Sequence, residues 1–214
     1  MDTMIVIAKQ PIAGQVKTRL MPPLTAEQAA QIAGAALADT LAAVHEAPAR
    51  LRLLAFAGAP GGWLPAGWRS CRQPDGGLDR RLSAAFDAAG PGPALLVGMD
   101  TPQLRSTQLA AFDAERYDAC LGPASDGGYW AIGLRDPRLA APAILGVAMS
   151  TGHTGADQLR RLRRLGLRVQ MLEELRDVDT IDDAVEVAEL IPGSAFAAAL
   201  ASVYPSPSMA AAVP

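Results

Sequence analysis

The sequence predicts an α/β fold, with a mainly parallel sheet and helices on both of its faces. Two observations carry this. Short apolar runs of strand length alternate along the chain with longer segments whose apolar residues recur at helical spacing. The unusual polar residues also fall directly after strand runs, and ligands of such sheets bind at the carboxyl ends of the strands.

Taken in order, Met4-Ile5-Val6-Ile7-Ala8 is β-branched, apolar and long enough for one buried strand. Thr25-Ala26-Glu27-Gln28 is a capping box that opens an Ala- and Leu-rich helix running to about Val44 and ended near Pro48. Strands are expected over 51–57 and 68–72, with a loop over 58–67 between them. Residues 78–89 return to helical spacing, with Leu78, Leu82, Ala85 and Phe86 on one face. Ala94-Leu95-Leu96-Val97 is the clearest buried strand, punctuated by Gly98 and followed by Met99-Asp100-Thr101-Pro102. Beyond it the pattern predicts a helix over 106–114, strands over 117–122 and 129–134, and a basic helix over 155–165. A strand over 167–172 follows, and then a helix entered through Thr180-Ile181-Asp182-Asp183. One domain is expected over 1–204, and a disordered tail over 205–214.

With 214 residues, half of them hydrophobic and 19% charged, the chain can bury a sizeable core and is globular in composition. A net charge of −3 argues against a general nucleic-acid binder, yet leaves room for a local cationic pocket. No positive leader precedes the first apolar run, and no apolar stretch is long enough to span a membrane, so a cytoplasmic enzyme is expected. Cys71 and Cys120 lack zinc-site spacing and read as reduced core residues. Nothing in the sequence signals an oligomeric state.

Four stretches carry residue types suited to chemistry. After the first strand, a loop brings Lys9, Gly14, Lys17 and Arg19, in which glycine lets backbone approach an anion and fixed cations meet it. It is neither a Walker P-loop, whose two glycine positions hold Pro11 and Val16, nor a dinucleotide fingerprint, since only Gly14 is present. Taken alone it reads equally well as a solvated basic loop. Asp100 follows a hydrophobic strand, where an acid needs a partner. A divalent cation is one such partner, although an Asp-x-Pro is more often a turn or helix cap. Asp177 and Asp179 share a face of extended backbone and repel unless a cation lies between them; as the alternative, Asp179 or Thr180 caps the next helix. Asp126-Gly127-Gly128 either leaves room for a ligand or makes a tight strand connection, and Ser150-Thr151-Gly152-His153-Thr154 is a polar lip.

In this order the pieces resemble the bacterial DUF2064 family, also labelled transferase 1 or glycosyltransferase-like, of the nucleotide-diphospho-sugar transferase (GT-A) superfamily. The matching pieces are IAKQPIAGQVKTRL, VGMDTPQL, GPASDGGYWAIGL and DVDTIDDA, and the resemblance reaches about residue 190. It implies a Rossmann-like three-layer sandwich and binding of a nucleoside triphosphate or nucleotide-sugar by Ala8, Lys9, Gly14, Lys17 and Arg19. It further implies Mg²⁺ or Mn²⁺ on Asp100 and Asp179, with Asp177 as a further candidate ligand. The small-molecule acceptor would then lie beside Asp126, Gly127, Gly128, Ser150 and Thr151. Two departures fall on that acceptor side: the family's Gly-Asp-Leu-Gly-x-Arg stretch stands here as Gly76-Gly77-Leu78-Asp79-Arg80-Arg81, and Met149 replaces a tryptophan.

The implied catalytic residues are Lys17, Arg19 and Asp100, and no nucleophile–base pair calls for a covalent intermediate. The reaction is then a Mg²⁺-dependent glycosyl or nucleotidyl transfer to a small acceptor. A guanylyl- or other nucleotidyltransferase acting on a small phosphorylated acid is one alternative. A nucleotide-binding regulator without turnover is another; the altered Asp79 stretch favours it, and the paired acids speak against it, since a pure binder could dispense with them.

Overall fold

The computed structural model describes residues 1–205, so the expected disordered tail lies, except for Pro205, outside the described residues. Seven strands form one sheet: β1 Thr3–Lys9, β2 Leu51–Ala57, β3 Trp68–Arg72, β4 Ala94–Val97, β5 Ala119–Pro123, β6 Tyr129–Leu134 and β7 Val169–Met171. Their order is β3-β2-β1-β4-β6-β5-β7, and every pairing is parallel except those of β6, which runs against both its neighbours. The carboxyl ends of six strands and the start of β6 therefore share one edge of the fold.

Helices cover both faces. The period of two along β1 sends Met4, Val6 and Ala8 to one side and Ile5 to the other. The first side meets α1 (Ala26–Glu46), together with Leu104, Leu109 and Phe112; the second meets α2 (Leu78–Ala89), α4 (Ala140–Ile144) and α5 (Thr154–Arg164). Outside α1, a third apolar cluster joins its outer face, through Ile32 and Ala36, to α6 (Ile181–Leu190) and α7 (Ala195–Val203). This is the three-layer arrangement expected, extended by a further helical pair.

The capping box of Thr25 and Gln28 forms as expected, and Thr180 with Asp183 makes a second one at α6. Three elements differ from expectation. The helix expected over 106–114 stops as α3 (Ser106–Leu109), because Gln170 takes the Ala111 carbonyl and the Asp113 N–H, and the Asp113 carboxylate then holds the Glu115 and Arg116 N–H groups in a turn. The helices α4 and α7 are not among the expected elements; α7 is capped by Ser194, and its Ala195 and Phe196 N–H groups donate to Asp39 of α1. Cys120 is buried, but Cys71 lies half-buried on the edge strand β3 rather than in the core. No helix among the described residues is long and apolar enough to cross a membrane.

Candidate active site

The loop after β1 is closed by its own residues. Lys9 Nζ donates to the Gln15 carbonyl at 2.9 Å, the Gln15 N–H donates to Ile12, and buried Val16 pins the loop to the α1 layer. Gly14, at φ 75°, supplies the left-handed turn. Lys17 also adopts left-handed backbone, φ 46°, which is costly for a residue with a Cβ. That conformation starts a short 3₁₀ turn, Thr18–Leu20, and turns the Lys17 side chain inward.

There it meets the acids. Lys17 Nζ lies 3.1 Å from Asp100 Oδ2 and 3.3 Å from Asp179 Oδ1, and Arg19 Nη1 lies 2.9 Å from Asp179 Oδ2. The Lys17 side chain is only 10% exposed, whereas that of Arg19 is 72% exposed. Burial alone would push the Lys17 ammonium down. The fields of Asp100 and Asp179 and the hydrogen bonds to both outweigh it, and hold its pKa above the ordinary lysine value. Two bonds fix the acid-bearing segments to each other: the Val178 N–H donates to the Asp100 carbonyl at 2.9 Å, and Gln103 Nε2 to the Arg176 carbonyl at 2.5 Å.

Asp126, Asp177 and Asp179 form the tighter carboxylate group, with one oxygen of each within 4.8 Å of the others. Asp177 is pushed up to about 6, first by burial and then by the negative fields of Asp126, Asp100 and Asp179. Thus the space between Asp100 and Asp179, expected for a shared ion, holds the Lys17 ammonium, while Asp126, expected beside an acceptor, stands with the late acids. The Asp126 carboxylate also accepts from the Gly128 N–H at 2.6 Å, which shapes the turn.

Gly127 and Gly128 serve close packing. The Gly155 N–H donates to the Gly127 carbonyl, and a Cβ on Gly127 would collide with the Gly152 carbonyl oxygen. This seats the 150–155 segment against the turn, with Ser150 in left-handed backbone and the Thr151 and Thr154 hydroxyls bonded to each other at the start of α5. His153 points away to Asp157. These walls enclose a cleft of about 620 Å³ at the carboxyl edge of the sheet, with a second pocket of about 220 Å³ under the Lys17 loop.

Three cleft residues have roles that the sequence leaves unassigned, although Tyr129 and Trp130 fall within the GPASDGGYWAIGL piece. Gln73, after β3, is buried and donates through Nε2 to the Ala8 and Ala55 carbonyls at 2.7 and 2.8 Å, tying together the ends of β1 and β2. Tyr129 opens β6 with a hydroxyl buried beside Gln158 and Met149, and burial pushes its pKa well up. Trp130 donates to the Glu173 carbonyl and packs over Gly122, where a Cβ would strike its ring. A lone glutamine after a strand, or an aromatic at the start of one, carries no spacing signal, so only the fold exposes these roles. Arg81 and Met149, from the altered stretches, line the same cleft.

The model of the family described as "Uncharacterized protein conserved in bacteria (DUF2064)" matches residues 27–151, more than half of the chain. The chain belongs to DUF2064. The matched span holds Asp100, Asp126 and the 150–151 lip of this DUF2064 member, while the Lys17 loop and the late acids lie outside it. Among solved structures, it resembles a protein of Desulfovibrio desulfuricans G20 provisionally named a nucleotide-diphospho-sugar transferase. The identity is 26%, the TM-score 0.83, and the match covers 94% of this chain and 95% of that one. It also shares the fold of 2-C-methyl-D-erythritol 4-phosphate cytidylyltransferase from Thermus thermophilus, at 19% identity and TM-score 0.58, over 89% and 98% of the two chains. The manganese complex of Rv0371C from Mycobacterium tuberculosis H37Rv is similar at 18% identity and TM-score 0.52, over 88% and 99%. No curated protein matches in sequence. The fold is that of nucleotidyltransferases and nucleotide-diphospho-sugar transferases.

Proposed function

We propose that this DUF2064 member is a transferase of nucleotidyl groups, acting on a nucleoside triphosphate and a small acceptor with the help of Mg²⁺ or Mn²⁺. The observation that carries it is the pair of cations Lys17 and Arg19 from one loop, set directly against Asp100 and Asp179 at the side of a cleft that Asp126 and Asp177 also line. A triphosphate needs cations along its length, and a hard divalent ion needs oxygen donors.

Asp126, Asp177 and Asp179, with Asp100 nearby, offer only oxygen donors, and a cation would offset both the burial and the neighbouring charges that raise Asp177; the donor set fits. Such an ion, when bound, supplies Lewis acidity and neutralises phosphate charge. The protein's own part is electrostatic. Lys17 and Arg19 bind the polyphosphate and stabilise the charge that builds on it, and loss of one such contact costs about 2.7–4 kcal/mol of transition-state stabilisation. Asp126, Gly127, Gly128, Ser150 and Thr151 form the wall from which an acceptor oxygen approaches, and the Ala8–Lys9 strand end borders the nucleotide.

Glycosyl transfer from a nucleotide-sugar is a second reading, favoured by the likeness to the Desulfovibrio protein. Parallel incubations with Mg²⁺ or Mn²⁺ and a panel of phosphorylated acids, one set with each nucleoside triphosphate and one with nucleotide-sugars, test both. Pyrophosphate release is the expected result. Release of a nucleoside diphosphate from a nucleotide-sugar supports the second reading, and tight nucleotide binding with neither product identifies a regulator.

A further inference from the structure

Asp179 is asked to serve two partners. Its Oδ1 accepts from Lys17 and its Oδ2 from Arg19, so both oxygens are already engaged by cations of the chain itself. Yet it is also one of the three carboxylates close enough to share an ion. The Arg19 contact is solvent-exposed and screened, so it yields readily, but the Lys17 ammonium is buried and bonded to Asp100 as well. A second cation arriving within a few ångströms of that ammonium would repel it.

We propose that Lys17 is the site's built-in counter-cation: a divalent ion binds as the ammonium withdraws from Asp179 and Asp100, and the withdrawn ammonium is the one that takes the phosphates. Metal and polyphosphate then bind jointly, each making room for the other, and the coupling is reciprocal. The structure supplies the means. Lysine swings on a flexible four-carbon stem, and the pocket of about 220 Å³ beside it, walled by Asp100 and Asp179 on one side and by Lys9, Thr18 and Arg19 on the other, gives the ammonium room to shift from the acids toward the loop. Lys9 differs in that its ammonium is bonded to the Gln15 carbonyl and to neither Asp100 nor Asp179.

The inference rests on the reading of the cleft as a metal and polyphosphate site, and its test needs no turnover. Mn²⁺ binding to the whole protein, followed by the electron paramagnetic resonance of the free ion, is compared for wild type, Lys17→Met, Lys9→Met and Asp177→Asn. Removing two charge-assisted bonds predicts that Lys17→Met binds Mn²⁺ about tenfold tighter or more, with Lys9→Met little changed. In the wild-type protein, Mn²⁺ is expected to raise acetylation of Lys17 by an N-hydroxysuccinimide ester, read peptide by peptide, while Lys9 stays constant; this holds even where Lys17→Met folds poorly. Equal tightening in both lysine variants means a diffuse charge effect and overturns the proposal. So does bound Mn²⁺ that leaves Lys17 acetylation unchanged. If Asp177→Asn binds Mn²⁺ as wild type does, the metal reading itself falls; if it loses Mn²⁺ but Lys17→Met gains nothing, only the counter-cation falls.

Discussion

Asp177 shows how much a single carboxyl can report. Its pKa in the folded protein, about 6, lies above the ordinary aspartate value because burial and three neighbouring acids disfavour its charge. The folded state therefore holds that proton more tightly than the unfolded chain. The stability it contributes is complete below the unfolded pKa and is lost as pH rises through about 6. In metal-free protein, Asp177→Asn should gain melting temperature relative to wild type as pH rises from about 5 to about 7, and Mg²⁺ should narrow the gap. A difference that stays flat with pH would remove Asp177 from the strained group. Gln73 gives a second prediction at this scale. Gln73→Leu keeps the volume but takes the donor from two buried carbonyls, so urea unfolding should show a loss of about 1–3 kcal/mol. The residues alone mark Lys17, Asp100 and Asp179 only as types worth attention; the family resemblance groups them, but with an ion rather than the Lys17 ammonium between the two acids. The Lys17 contacts span 83 and 162 residues, and one sequence carries no distances.

Elements with strong local signals are the legible part of the fold. The capping boxes at Thr25 and Thr180, the β-branched run of β1 and the apolar β4 each follow from a few adjacent residues. Where bonds from elsewhere decide, the local pattern misleads: the Asp113 N–H donates to Gln170, and α3 ends short. The Asp126-Gly127-Gly128 turn is a third kind of case. Its glycines are visible in the sequence, but their reason, the carbonyl of Gly152 pressed against Gly127, is not. Gly127→Ala combines a collision with a backbone φ of 88°, and should cost about 1–3 kcal/mol. It should also loosen the 150–155 segment, read as faster hydrogen exchange of the Gly155 N–H that the Gly127 carbonyl normally holds. Unchanged exchange at Gly155 would show that the turn and the lip are not one unit.

At the scale of the whole molecule, the added pair α6 and α7 braces the site from behind. Phe196 is fully buried between α7 and its neighbours, and Asp39 of α1 caps the start of α7. Phe196→Ala should cost about 3–5 kcal/mol in chemical denaturation. Because α6 begins directly after Asp179, Mn²⁺ affinity should weaken along with stability. A variant that loses stability but keeps its full affinity would separate this layer from the cleft. The single reversed strand matters here too, since β6 starts at the same edge where β4 and β5 end and so returns Tyr129 to the cleft.

The pairing of Lys17 with Asp179 has one more consequence, for the order of events during synthesis. A nascent chain carrying the basic loop, and even Asp100, still lacks the carboxylates that arrive more than seventy residues later. On the function proposed above, ligand capture awaits the segment that carries Asp177 and Asp179, so a fragment released before it is made would stay silent in a binding assay.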